Sequence, residues 1–369
     1  MEYKKLEEIC DIVSGGTPSR SKSEYWNNGT IPWIKIGNIK AKYVESADEY
    51  ITEKGLDGSS TKLLKKGTIL YTIFATLGEV GILKIDACTN QAIAGLTLKN
   101  NANILPDYLY YYLKSKKHIV NNLGRGVAQN NINLSMLKQF KIPIIEIEKQ
   151  SKIINDLEKI NHILESQREQ LKLLDELVKA RFVEMFGDIY NSKKWNLINI
   201  EDVAKVQVGV VIKPSQYYVN SEKGIKAFRS LNVGRGFIKD DDWVYFSEEG
   251  NKKNSKSILH ENDVLIVRSG APGISCVVTK EYDGCNAIDV IIAHPNVEII
   301  NPYYLSAYTN MPHGMLQINE GTGGAAQQHF NISKYNKMKI MLPPLEYQNK
   351  YIDFVKEVDK SRLHVLYIS

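Results

Sequence analysis

The chain has 369 residues, 43% of them hydrophobic and 24% charged, with a formal net charge of +5. That is an ordinary soluble composition, with length enough for two or three domains. No run approaches the ~18 consecutive apolar residues of a membrane span, and the N-terminus MEYKKLEEICDIVSGG lacks the apolar core of a signal peptide. The four cysteines (Cys10, Cys88, Cys276 and Cys285) form no CxxC pair and stand at no zinc-finger spacing. A membrane protein, a disulfide scaffold and a zinc finger are therefore set aside, and a reduced, cytoplasmic protein is expected. The mild positive charge permits a nucleic-acid partner without demanding one, since local clustering decides.

In chain order, residues 11–19 (DIVSGGTPS) end in a glycine-rich turn, and residues 33–39 (WIKIGNI) read as a strand. The alternation of TILYTIF, bounded by Gly, is a second strand signal, and PDYLYYYLKSKK reads as a short helix started by Pro106. A polar loop, GRGVAQNNINLS, follows at 124–135. From Ile147 to Phe186 there is no Gly or Pro. Apolar residues recur there at Ile153, Leu157, Ile160, Leu164, Leu171, Leu174 and Val178, stepping by three and four once Gln167 is counted, a coiled-coil heptad. At ~1.5 Å per residue this is a rod of roughly 60 Å. Ile154, Ile163, Leu173 and Leu177 lie outside that seam, an excess that predicts helices from a partner chain.

Beyond the rod the same plan returns. KVQVGVVIKPS (205–215) answers DIVSGGTPS, and FRSLNV (228–233) answers the strand at 33–39, aligning Asn232 with Asn38. LHENDVLIVRSGAPGISCVV matches LKKGTILYTIFATLGEVGIL, and DGCNA matches DACTNQA, pairing Cys285 with Cys88. NPYYLSAYT answers LPDYLYYYL, GTGGAAQQHFNIS answers the polar loop, and PPLEYQNKYI answers the start of the rod, placing Gln348 over Gln150. The chain is a tandem duplication. The fold class is α+β: two tandem mixed α/β domains separated by long helices, for which the repeat symmetry leads us to expect an antiparallel coiled coil, with a parallel pairing left open by the sequence. The expected divisions are 1–143 (first domain), 144–187 (first rod), 188–343 (second domain) and 344–369 (a shorter second rod, with its seam at Tyr351, Val355, Val358 and Val365).

Catalytic signatures are lacking. There is no GxxxxGK[ST] loop and no GxSxG elbow, and Gly124-Arg125-Gly126 is only a fragment of a dinucleotide motif. Asn301-Pro302-Tyr303 is better read as a helix start, Asp240-Asp241-Asp242 as a solvated loop, and the seven histidines are scattered. What recurs in both halves is a set of polar, glycine-flanked loops. In the first half these hold Thr17, Ser19, Arg20, Lys22, Lys35, Asn38, Arg125, Gln129 and Asn130. In the second they hold Lys213, Ser215, Arg229, Ser230, Asn232, Arg235, Arg268, Ser269, Gln327 and Gln328. Such side chains read base edges and grip phosphates; taken singly each is better read as an ordinary turn or surface charge, and only the recurrence in both halves points the set towards nucleic acid.

These marks together resemble the specificity (S) subunits of type I restriction–modification systems: the duplicated half, GGTPS, PWIKIGNI, GRGVAQNNIN, IPIIEIEKQ and the rod exit LLDELVKARFVEMFGD. The resemblance covers the full length. It implies two target recognition domains, each reading half of a bipartite DNA site, with rods that space them and dock two methyltransferase subunits. It implies no cofactor on this chain. S-adenosylmethionine belongs to the methyltransferase subunits of an adenine-methylating complex, and ATP with Mg²⁺ to restriction subunits where these join. The second rod is shorter than the resemblance implies. Two rival readings are a stand-alone DNA methyltransferase or nuclease with its own recognition domains, and a non-enzymatic DNA-binding regulator.

Overall fold

The structure is a computed structural model that describes residues 2–124, 132–187, 195–322 and 330–367, without the side chains of 122–124, 321–322 and 366–367. The chain forms two compact units, Met1–Leu164 and Glu165–Ser369.

In the first unit, strand Cys10–Ser14 runs antiparallel to Ile93–Leu98, which is followed by Ile69–Thr72, Val80–Leu83 and, in parallel, Tyr43–Val44. Strand Ile69–Thr72 is buried on both faces. Ile69 and Tyr71 join a core with Leu109 and Leu113 of helix Pro106–Ser115, while Leu70 points into a smaller core with Ile34, Val44 and Ile93. This is the period-two side-chain alternation of a strand between two layers. A three-stranded sheet orders Glu49–Ile51, Ile31–Ile34 and Cys88–Thr89, the last two strands parallel. Glu2–Lys5 pairs with Lys141–Ile144 immediately before the rod.

The second unit repeats this order. Here both sheets have four strands: one runs Ala204–Val208, Val290–Pro295, Val264–Val267 and Ser275–Val277, and the other Tyr218–Val219, Val244–Phe246, Ile225–Phe228 and Asn286–Ala287, again closing on a parallel pair. Leu197–Asn199 pairs with Lys339–Met341. The duplication reaches single side chains. Gln150 is fully buried; its Oε1 accepts from Leu105 N–H (2.8 Å) and its Nε2 donates to Asn103 O (3.1 Å) and Ile145 O (2.8 Å). Gln348, equally buried, accepts from Asn301 N–H (2.7 Å) and donates to Ile299 O (3.1 Å) and Pro343 O (2.7 Å). Each amide satisfies buried backbone groups at the start of the helix Pro106–Ser115 or Pro302–Asn310, which ties the domain to its rod.

The rods are Ile147–Phe186 and Leu345–Tyr367. In the second unit they pair antiparallel: Gln167 Nε2 donates to Val365 O (3.1 Å), Arg362 reaches Asp175 (2.5 Å), and Tyr351 meets Phe182 (5.3 Å between rings) and Phe186 (5.5 Å). Tyr351 and Val358 are buried and Val355 and Val365 half-buried, as their seam positions require. The first rod departs from its predicted seam near its start. Ile153, Ile160 and Leu164 are exposed, whereas Ile154, expected on a partner-facing surface, is buried in the first unit's own core. The reason is local. The opening turns lie on their own domain through Gln150, Ile154, Glu158 and Asn161, a helical face one residue away from the heptad seam. Lys42 clamps that face, meeting Asp107 and Glu158 at 2.5 Å each, and Asn161 donates to the Tyr111 hydroxyl (3.4 Å). Ile163, Leu173 and Leu177 remain outward.

Candidate nucleic-acid interface

In the first unit several loops converge on the segment 88–93. Cys88 and Thr89 pair in parallel with Trp33 and Ile34, and Asn90 N–H donates to Ile34 O (3.1 Å), which seats the turn of Lys35 to Asn38 beside it. Gly16 N–H donates to Thr89 O (2.8 Å) and Gly15 N–H to Ile93 O (3.0 Å). A Cβ on Gly15 would stand 2.2 Å from Asn90 O, so glycine is required for this close approach. Ile73 donates to Ala92 O (2.8 Å) and accepts from Ile132 N–H (3.0 Å).

The second unit builds the same junction on 286–290. Ala227 and Phe228 pair in parallel with Asn286 and Ala287, and Ile288 N–H donates to Phe228 O (2.8 Å). Gly209 N–H donates to Val290 O (2.9 Å) and Val210 N–H to Ala287 O (2.7 Å), while Phe330 N–H donates to Arg268 O (2.9 Å), the counterpart of Ile132 on Ile73. Residues far apart in sequence, namely the 209–215 loop, Arg229 to Asn232, and Arg268 with Ser269, are thus gathered at one edge. Arg235 is held elsewhere, donating to Asn310 O (2.8 Å). Arg125, Gln129, Asn130, Gln327 and Gln328 lie outside the described residues.

The candidate cations Arg20, Lys22 and Lys35 of the first unit are held rather than loose. Glu49 takes ion pairs from both Arg20 and Lys35. The Lys35 ammonium, and then Arg20, hold its carboxyl below the usual range against the opposing effect of partial burial. The Arg20 guanidinium lies 3.6 Å over the Trp26 ring and 5.1 Å from that of Trp33. These two rings meet edge to face at 5.1 Å. Trp33 N–H donates to Gly16 O (2.9 Å) and Trp26 N–H to Ser19 O (3.1 Å), so the tryptophans carry the glycine turn. Thr17 donates to Gln91, Ser19 and Ser21 share a hydrogen bond (2.8 Å), and Lys22 donates to the Tyr25 hydroxyl (2.9 Å).

The second unit uses other residues for the same arrangement. Lys226 pairs with Asp240 (2.8 Å) and sits over Trp243 (4.8 Å) and Tyr282 (5.1 Å), and Trp243 N–H donates to Asp240 (2.6 Å). Lys226, then Trp243, keeps the Asp240 carboxyl below its ordinary value. Asp242 pairs with Arg229 (3.4 Å). The acidic run is the solvated loop expected, all three residues being exposed, and two of its carboxylates in addition orient cations. Asn232 is corrected: it is buried, accepting from Arg229 N–H (2.9 Å) and donating to Asp241 O (2.8 Å), so it shapes the turn and has no free edge for a base. Asn38 accepts from Lys35 N–H (2.8 Å) in the same way. Arg268 donates to Asp289 (2.7 Å) with its side chain only 11% exposed. Lys213, in the left-handed region (φ 44°), and Ser215 are exposed.

Sequence reasoning missed Trp26, Trp33, Glu49, Lys226, Trp243 and Tyr282, and treated 88–93 and 286–290 only as markers of the repeat. The match of DACTNQA to DGCNA was the available signal. Among the described residues no three His, Cys, Asp or Glu side chains cluster as a metal site, and no helix is long and apolar enough to cross a membrane.

A family model for the type I restriction modification DNA specificity domain matches residues 1–174 and, a second time, residues 192–365. The chain belongs to this family. It is a type I specificity subunit with two recognition domains. The specificity subunit of the type I restriction enzyme MjaIX of Methanocaldococcus jannaschii is 25% identical over 380 residues, 96% of this chain and 86% of the relative. That of EcoR124I/EcoR124II of Escherichia coli is 31% identical over 195 residues, 51% of this chain and 48% of the relative. Among solved structures, the S subunit from M. genitalium aligns over 99% of this chain and 91% of its own, with a TM-score of 0.56 at 15% identity. A chain from a study of assembly and conformational transition in the type I R-M system covers 100% and 91%, with a TM-score of 0.58 at 17% identity. At these identities the solved structures speak for the fold alone.

Proposed function

We propose that each recognition domain of this specificity subunit reads one half of a bipartite, asymmetric double-stranded DNA sequence. In this reading the rods set the spacing and dock two methyltransferase subunits. The observation that carries it is the doubled junction, in which the same backbone scaffold presents different side chains: Arg20, Lys35 and Glu49 in one copy, Lys226, Arg229 and Asp240 in the other. One scaffold with two surfaces suits two different half-sites. The outward Ile163, Leu173 and Leu177 are the apolar groups offered to the methyltransferase subunits. The chain contributes binding and register, not a reaction step. S-adenosylmethionine is carried by the methyltransferase subunits, which methylate adenine, and ATP with Mg²⁺ by restriction subunits where these join. The complex works in the cytoplasm.

Exchange of residues 1–143 for the corresponding domain of another specificity subunit tests this. Mapping methylated adenines should show one half-site replaced and the other unchanged, and a change in both halves or in neither would reject the assignment. Inserting a heptad into both rods should lengthen the spacer and leave the half-sites intact, since half-sites read from one face recur about every 34 Å.

A further inference from the structure

The loop after strand Ala204–Val208 differs from its first-unit counterpart in a way that the shared scaffold does not explain. Where the first copy has Gly15-Gly16-Thr17-Pro18, the second has Gly209-Val210-Val211-Ile212-Lys213-Pro214, a longer turn with an apolar pair at its tip. Val211 is 55% exposed and Ile212 79%, the highest value of any large hydrophobic among the described residues. An isolated exposed aliphatic residue is unremarkable, but adjacent ones at the tip of a binding loop call for a partner. The base of this loop is fixed: Gly209 and Val210 donate to Val290 O and Ala287 O, and Asp289 N–H donates back to Val210 O (3.2 Å). A Cβ on Gly209 would meet Ala287 O at 2.4 Å, so the loop sits as close to the junction as the backbone allows.

We propose that Val211 and Ile212 form an apolar base reader that contacts the 5-methyl group of a thymine in the half-site read by the second recognition domain. The thymine methyl is the apolar feature of the major-groove edge, and aliphatic side chains are its chemical complement. The exposed ammonium of Lys213, next in sequence, is placed to take the adjoining phosphate. A wedge driven between base pairs is the other use of an exposed aliphatic side chain, and the test below separates the two. The first copy carries Thr17, bonded to Gln91, at the corresponding turn, so the methyl contact belongs to the second half-site.

This inference rests on the DNA-reading role proposed above, and the test separates the two. The specificity subunit is assembled with its methyltransferase subunits, and the recognition sequence is mapped from methylated adenines. Each thymine of both half-sites is then replaced singly by deoxyuridine, which removes only the methyl group. Native complex should lose about fourfold in affinity at one position of the second half-site. Ile212→Ala, checked for an unchanged melting temperature, should bind the thymine duplex at the native deoxyuridine level and no longer distinguish the two. Indifference of the native complex to every such replacement, a second half-site without thymine on either strand, or full discrimination by Ile212→Ala would overturn the methyl contact. A rise in 2-aminopurine fluorescence beside that position, abolished by Ile212→Ala, would replace it with a wedge. Failure to find a split recognition sequence at all would instead reject the reading of the two domains.

Discussion

The two copies of the recognition module share a scaffold and part company where the rod meets the domain. Both clamp the start of their rod with a buried glutamine, Gln150 or Gln348, bonded to the same three backbone positions. Past the clamp, the first unit holds its stretch of rod by a charged cluster, Lys42 with Asp107 and Glu158, and leaves Ile153, Ile160 and Leu164 outward. The second unit holds both rods by an aromatic knot. Phe182 stacks on Tyr304 (6.2 Å) and meets Tyr308 (5.9 Å) and Tyr351, with Phe186 beside them. Duplicated sequence therefore preserves backbone hydrogen bonding more strictly than it preserves the means of burial. An unsatisfied buried amide is costly in any context, whereas apolar and ionic contacts can substitute for one another.

The largest effect should come from the knot. Phe182→Ala empties a fully buried aromatic site and should destabilise the second unit by about 3–5 kcal/mol. Hydrogen exchange should rise across Pro302–Asn310 and Leu345–Tyr367 and stay unchanged in the first unit's sheet; equal loss in both units would break the comparison. Gln150→Ala and Gln348→Ala should each cost about 2–3 kcal/mol by chemical denaturation, because each strands a buried N–H and two carbonyls. Unequal costs would show that the clamps are not equivalent.

Lys42→Met should act on the first unit alone, by about 1–2 kcal/mol once partial exposure is allowed for. Its pH dependence has a definite sign. Burial pulls the Lys42 ammonium down, but hydrogen bonds to Asp107 and Glu158 outweigh it and leave the pKa raised. The stabilisation is therefore complete below the ordinary lysine value and lost as pH rises through the raised one. A native-minus-variant stability difference that instead fades on acidification towards neutrality would contradict this. The smallest expected effect is at the junctions. Glu49→Gln or Asp240→Asn removes a carboxylate that orients two partners, and should tighten non-specific DNA binding about two- to fivefold at low salt while weakening discrimination in the matching half-site only.

Much of the fold was legible because its signals are local and periodic. Alternation located the strands at 69–72 and 264–267, Pro106 and Pro302 started their helices, and the rod without Gly or Pro runs over Ile147–Phe186 as expected. The candidate site was legible only in outline. The loops were found by their composition, but Arg20 meets Glu49, and Lys226 meets Tyr282, across separations that no window of sequence spans. Asn232 was misread because a side chain suited to a base edge suits a tight turn equally well.

The sequence by itself determined the duplication, the rods, the seam positions of the second rod and membership of the specificity-subunit family, while the antiparallel direction of the pairing came from the structure. Repeats and heptads are written along the chain, and it was enough to compare the chain with itself. Tertiary structure alone decided that Ile154 rather than Ile153 turns inward, and that segments 88–93 and 286–290 gather the loops. The same folding seated Asp240 against Lys226. A helix presents every face to whatever domain it meets, so which stripe is buried depends on a surface assembled from distant strands.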